Sequence, residues 1–301
     1  GIIQVVPTLA SCSAEEIMEA CLPNQAAFYQ LYFNSNHATT REIVEKAERL
    51  GVKAIFLTVD LPTPGKREKD MKVKLEADLG RLQRQEEMEI KAHINPDDGD
   101  FNINPGEKTG IAQSLGSFIE QDLNWDLLKE LQSWTSLPIV LKGVQTGEDA
   151  ILAVKAGVQG IVLTNHGGRG LDFARSGLEI LPEVIDALHS VGCRDKLEVY
   201  VDGGVRRGSD IFKAIALGAN AVLIGRPTIY AAAAYGQRGV QRIIQILKEE
   251  MELTMKYCGA RTISEISRKM VDARNLSVHS VTPPQTHLFH DGYEPQSFAK
   301  L

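Results

Sequence analysis

Hydrophobic positions in this chain gather into short unbroken runs, and each run ends in polar, charged or glycine residues. Phe56-Leu57-Thr58-Val59-Asp60, Ile139-Val140-Leu141-Lys142-Gly143 and Ile161-Val162-Leu163-Thr164-Asn165-His166-Gly167-Gly168-Arg169 follow this pattern. So do Val199-Tyr200-Val201-Asp202-Gly203-Gly204 and Ala221-Val222-Leu223-Ile224-Gly225-Arg226. A strand covered on both faces reads as a continuous apolar run, the mark of a buried parallel sheet. Several such runs ending in functional groups place the chemistry on one rim. That is the arrangement of a β/α barrel with its site at the C-terminal face of the strands.

Between the runs, the pattern predicts helices. Ser13 with Glu16 three residues on reads as a capping box. Residues 40–50 space Ile43, Ala47 and Leu50 at helical intervals, and Gly51 closes that helix. Further helices are expected near 125–133, 147–156, 177–189, 208–217 and 239–257. Seven strands begin near residues 3, 28, 53, 138, 160, 197 and 221. The separations Lys142 to His166 and Asp202 to Arg226 are both 24 residues, the length of one βα unit. A stretch from about 66 to 110, rich in Lys, Glu and Gln with weak periodicity, interrupts the alternation. It reads as a mobile surface loop of the kind that covers active sites.

Composition narrows the class. The 301 residues are 43% hydrophobic and carry a net charge of −6. That charge argues against nucleic acid or an anionic membrane as the main partner, since both require basic patches. No apolar stretch reaches the roughly 18 residues of a membrane span. Cys12, Cys21, Cys193 and Cys258 form no CxxC pair and are expected to remain reduced. The expectation is a soluble acidic globular protein built as one barrel domain over 1–301, with an irregular tail from about 275.

The candidate chemistry sits at the ends of the runs. His166, flanked by glycines, has the reach and the intrinsic pKa of a base near neutral pH. Arg169 offers a forked cation suited to a carboxylate. A His that caps a turn beside a surface Arg is the structural alternative. Lys142 ends an apolar strand, where it either faces the barrel mouth or snorkels to solvent. Asp60 ends another; an unpaired carboxylate there is costly, so a His or Arg partner is expected. An Asp–His pair orients the imidazole and stabilises its protonated form. The motifs Asp202-Gly203-Gly204-Val205-Arg206-Arg207 and Gly225-Arg226-Pro227 fall where barrels bind phosphate through backbone N–H groups. Gln30, Tyr32 and Thr58 complete the polar strand ends. His287 and His290 lack carboxylate or Cys company, and no metal site is expected.

These motifs, in this order, resemble the FMN-dependent L-2-hydroxy acid oxidising enzymes, a family that includes glycolate oxidase, lactate oxidase and flavocytochrome b2. The resemblance runs from about Thr8 to Ser267 and rests on Gln30-Leu31-Tyr32, Thr58-Val59-Asp60, Gly65-Lys66-Arg67-Glu68, Leu141-Lys142-Gly143-Val144, Asn165 to Arg169, Asp202 to Gly208 and Gly225-Arg226-Pro227. It is strongest toward the fungal flavocytochrome b2 type, at Thr8-Leu9-Ala10-Ser11-Cys12-Ser13 and Arg67-Glu68-Lys69-Asp70-Met71.

The resemblance implies a TIM (β/α)8 barrel holding FMN and oxidising a lactate- or glycolate-type acid. By it, Gln30 and Thr58 bond the flavin ring, and Lys142 stabilises the reduced flavin's charge. His166 is the base, with Asp60 holding the imidazolium. Tyr32 bonds the substrate oxygen, while Arg169 and Arg67 bind the carboxylate. Asp202, Gly204, Arg206, Gly225 and Arg226 hold the ribityl-phosphate arm. It also implies oxygen or a cytochrome-type acceptor and a homo-oligomer, a tetramer.

In the relatives, two strands precede the segment matching Gly1, so this chain is expected to be part of a longer protein or a truncated product. A barrel without its first strands exposes two parallel edges. Pro7 falls where some relatives place a flavin-contacting Ser. Ala299-Lys300-Leu301 resembles a peroxisomal address, against which stands a mitochondrial or cytoplasmic location. The competing readings are a different FMN- or phosphate-binding barrel enzyme and a non-catalytic remnant.

Overall fold

The structure, a computed structural model, describes residues 2–63, 118–171 and 173–279. The loop at 66–110, Arg67, both tail histidines and the last three residues lie outside the described residues.

Seven parallel strands form one sheet in sequential order: β1 (Gln4–Pro7), β2 (Ala27–Leu31), β3 (Ile55–Thr58), β4 (Ile139–Val144), β5 (Gly160–Leu163), β6 (Glu198–Asp202) and β7 (Ala221–Leu223). The helices that alternate with them are α1 (Ala14–Glu19), α2 (His37–Arg49), α3 (Trp125–Trp134), α4 (Gly147–Lys155), α5 (Gly177–Ser190), α6 (Gly208–Ala216) and α7 (Arg226–Cys258). Such sequential parallel order with a helix on each crossover is the winding of a β/α barrel. Among the described residues β1 and β7 are the two edges of the sheet.

Local chemistry starts the helices where the sequence indicates. Ser13 and Ser176 each close a full capping box, with Glu16 and Glu179 respectively. Asn36, Asn124 and Thr146 cap α2, α3 and α4 with their side-chain oxygens. Each such cap satisfies N–H groups that the helix itself cannot, worth about 1 kcal/mol. Two boundaries differ from expectation. α2 begins at His37 because Asn36 supplies the cap. α7 begins at Arg226, well before 239, with a proline in its first turn and a break at Tyr235 and Gly236. Pro is tolerated there because the first turn has no N–H bond to lose.

The period-two alternation of the strands separates two cores. Ile55, Leu57, Ile139, Leu141, Ile161, Leu163, Val199 and Val201 pack with Val44, Leu131, Ala150, Val184 and other helix residues. Phe56, Val140 and Val162 join Phe28, Tyr200 and Leu223 in a second cluster drawn from the strands and Ala54 just before β3. The first is the layer between sheet and helices; the second is the inner face. Phe56 stacks on Phe28 at 5.2 Å and on Tyr200 at 6.0 Å across that inner face. By the same parity Gln30, Thr58, Lys142, Thr164 and Asp202 belong to the inner side at the strands' C-terminal ends. This is how a one-dimensional pattern becomes a rim.

Candidate functional site

The rim is densest over β3, β4 and β5. Asp60, two residues beyond β3, accepts a 2.8 Å hydrogen bond at Oδ1 from His166 Nδ1. Lys142 places Nζ 3.8 Å from Asp60 Oδ2 and 3.5 Å from His166 Nδ1. With its proton donated to Asp60, Nδ1 has no lone pair for the ammonium, so Lys142 serves the carboxylate. The three side chains are 8%, 9% and 14% exposed for Asp60, His166 and Lys142, which makes their mutual pairing obligatory. Asp60 Oδ2 has no hydrogen-bond partner despite full burial; the Lys142 charge nearby is its only compensation among the described residues.

Backbone geometry sets this cluster. Gly143 adopts φ +121, and the β4–β5 register shifts between Lys142 and Val144. A Cβ on Gly143 would lie 2.7 Å from Asp60 Cγ and 2.8 Å from its backbone N. Only glycine permits β4 to run this close to the carboxylate. His166 itself has φ +55, a left-handed conformation that costs a non-glycine residue about 1–3 kcal/mol. Several bonds hold it. Thr164 Oγ1 accepts from the His166 N–H at 3.1 Å, Asn165 Oδ1 accepts from Gly168 N–H at 3.2 Å, and Arg226 donates to the Gly167 carbonyl at 2.6 Å. Arg169 lies on the same turn, and its Nε donates to the His166 carbonyl at 3.4 Å.

A second group lies over β2 and β3. Thr8 N–H donates to Gln30 Oε1 at 3.2 Å, and Gln30 Nε2 donates to Thr58 Oγ1 at 2.9 Å. This fixes the orientation of the Gln30 amide and leaves the Thr58 hydroxyl proton directed away from it. Tyr32, 8% exposed, packs with Leu61 and Ile119. The floor beneath is apolar. Burial pushes the Tyr200 phenol well above its ordinary range, and its hydrogen bond to Glu198 adds to that, so the ring stays neutral.

The rim over β6 and β7 is built differently. Asp202 is half-buried, while Gly204, Arg206, Gly225 and Arg226 are exposed. Gly203 and Gly204 have φ +93 and +78, and a Cβ added at Gly204 or Gly225 would meet nothing within 4 Å. Arg226 is the N-terminal residue of α7. Open space above glycine backbone at a helix N-terminus is the form of an anion cradle. The Gln30–Thr58 pair, the buried Lys142 and this cradle fit a ligand with a hydrogen-bonding ring and a phosphorylated arm.

The strand-end residues expected from sequence are therefore gathered on one rim, with Asp60, His166 and Lys142 in direct contact. Sequence reasoning assigned no role of their own to Thr8, Gly143, Asn165 and Thr164. Thr164 carried a usable signal, since it ends an apolar run as Lys142 does. A cavity of about 590 Å3 lined in part by Asp60, Gly143, Asn165 and Gly170 adjoins the cluster. A larger one, about 1040 Å3, lies between α4, α5 and the turns at 268–276; it is lined by none of Asp60, His166 and Lys142 and meets the first cavity at Thr146. No group of metal-ligating side chains occurs among the described residues. No helix among them is long and apolar enough to cross a membrane.

Comparison with known proteins agrees with the geometry. The family model described as FMN-dependent dehydrogenase matches residues 1–273. An L-lactate dehydrogenase (cytochrome) of Wickerhamomyces anomalus is 41% identical over 300 residues, covering 100% of this chain and 49% of the relative. A peroxisomal (S)-2-hydroxyacid oxidase of Arabidopsis thaliana is 40% identical over 281 residues, 93% of this chain and 72% of the relative. Among solved structures, the recombinant flavin-binding domain of baker's yeast flavocytochrome b2 superposes with a TM-score of 0.78 at 42% identity, covering 100% of this chain and 68% of that one. The chain spans about half the length of the Wickerhamomyces anomalus L-lactate dehydrogenase (cytochrome) and of another from Saccharomyces cerevisiae.

Proposed function

The chain belongs to the FMN-dependent dehydrogenase family, and from that membership and the rim geometry we propose that the whole protein oxidises an L-2-hydroxy acid of the lactate or glycolate type to the 2-oxo acid. The observation that carries the reading is the Asp60–His166–Lys142 cluster. Asp60 engages His166 Nδ1 at 2.8 Å, so Nε2 is the nitrogen that remains for substrate. His166 Nε2 takes a proton from the bound acid, and the buried Asp60 carboxylate stabilises the imidazolium that results. Arg169, with Arg67, binds the substrate carboxylate; Tyr32 bonds the substrate oxygen. FMN, when bound, supplies the two-electron acceptor that amino-acid side chains lack. Gln30 and Thr58 bond its ring, Lys142 favours negative charge beside that ring, and Asp202, Gly204, Arg206, Gly225 and Arg226 hold its arm. Oxygen or a cytochrome-type protein would be the final electron acceptor. The cytochrome-linked and peroxisomal relatives support one each. The reading includes a homo-oligomer, supported by the exposed apolar side chains Ile229, Tyr230 and Tyr235 at the start of α7.

The test is the visible absorption spectrum of the full-length protein before and after anaerobic addition of L-lactate or glycolate. A flavin spectrum that bleaches is expected. A colourless protein removes the cofactor assignment, and flavin that no 2-hydroxy acid bleaches removes the substrate class. Adding cytochrome c or oxygen to the bleached protein then identifies the acceptor by which one restores the colour.

A further inference from the structure

Thr164 has no role in the reaction outlined above, yet it is fully buried and polar at the centre of the rim. Its hydroxyl makes two bonds in opposite senses. Oγ1 donates to Asp202 Oδ2 at 3.0 Å and accepts the His166 backbone N–H at 3.1 Å. Its carbonyl accepts from the Gln145 side chain. One side chain therefore joins the carboxylate assigned to the cofactor arm with the backbone of the residue assigned as base. A β-branched residue suits this place, because χ1 is stiff and the hydroxyl cannot swing away.

Both groups it holds need holding. His166 sits at φ +55, so relaxation of its backbone would carry the imidazole away from Asp60. Asp202 precedes two glycines with positive φ, whose freedom gives the carboxylate no local restraint. With Oδ2 fixed by Thr164, Oδ1 remains for a ligand hydroxyl.

We propose that Thr164 is a positioning residue that couples cofactor-arm binding at Asp202 to the placement of the His166 base. The proposal rests on the functional reading above. It states that occupancy of the arm site and competence of the base are joined through one hydroxyl rather than arising independently.

Thr164→Val removes the hydroxyl and keeps the shape, whereas Thr164→Ser keeps the hydroxyl. Both are made in the full-length protein. FMN affinity is read by titrating the apoprotein and following quenching of flavin fluorescence. Competence of the base is read as the anaerobic rate of flavin bleaching by L-lactate across a range of concentrations. For Thr164→Val we expect FMN bound about tenfold more weakly. Bleaching at saturating lactate should slow by about 10- to 100-fold, with a much smaller change in the concentration giving half the maximal rate. Thr164→Ser should stay within about threefold of the parent in both readouts, a difference worth less than one factor of ten in binding.

A Val variant that matches the parent in both readouts overturns the proposal, as does a Ser variant as impaired as Val, which would make the residue a packing element only. If Thr164→Val does not fold, Thr164→Ala against Thr164→Ser gives the same hydroxyl contrast. Should no 2-hydroxy acid bleach the parent flavin, the functional reading falls while the link to Asp202 is still decided by affinity. Val weaker than Ser then upholds it, and equal affinities end it.

Discussion

The two halves of the rim solve the same problem by opposite means. Over β3 to β5, Asp60, Lys142 and His166 are buried side chains in contact, and each one's position is set by the other two. Over β6 and β7, Gly203, Gly204 and Gly225 present backbone, and Arg206 and Arg226 are exposed. The first half is organised before any ligand arrives, because buried charges tolerate only one arrangement. The second is a surface of N–H groups with room above it, waiting on an anion. Such a division suits chemistry at one end of a ligand and anchorage at the other. Away from Thr164, which bonds to both halves, it predicts that damage to one half shows mainly as lost reactivity and damage to the other mainly as lost binding.

The sharpest test is His166→Ala. Removing a positioned base costs about 10²- to 10⁴-fold in rate. We expect FMN to remain bound, with its bleaching by L-lactate slowed by that factor in stopped-flow absorbance. Unchanged bleaching would remove His166 from its role. Gly143→Ala comes next. Its Cβ cannot coexist with Asp60 Cγ at 2.7 Å and the Asp60 backbone N at 2.8 Å. Forced repacking of this kind costs about 1–3 kcal/mol, to be read as a lowered urea midpoint. The same displacement of Asp60 should slow flavin bleaching while FMN affinity changes little. On the other half, Gly204→Ala has ample space but the wrong φ, +78. The strain is of order 1 kcal/mol, so FMN should bind about five- to tenfold more weakly, and flavin already bound should bleach almost as in the parent. Loss of reactivity without loss of binding in this variant would erase the distinction between the halves.

Much of this organisation was legible along the chain because it is encoded locally. An apolar run buried on both faces must stop where the strand leaves the core, so Thr58, Lys142 and Asp202 announce the rim wherever they occur. Ser13 with Glu16 declares a helix start for the same reason, and the box forms as written. The first helical stretch of α7 was missed although Pro227 and the four alanines Ala231 to Ala234 pointed to it. An alanine run has strong helix propensity but no amphipathic period, so periodicity alone does not reveal it. Thr164 was passed over because a threonine at a strand end has many bland uses; only its two partners, 38 residues apart in one case, give it a role.

The order of strands, their shared C-terminal rim and the residue types upon it follow from the chain alone, since alternation of period two and helix capping act over a few residues. The partnership of Asp60 with His166 is of another kind: it joins side chains 106 positions apart and skips the intervening strand β4. So is the demand for glycine at 143, set by its φ of +121 and by the Asp60 side chain packed against it. Contacts of this range are set by how the sheet curls and how closely neighbouring backbones approach, and those distances arise only when all the βα units pack against one another.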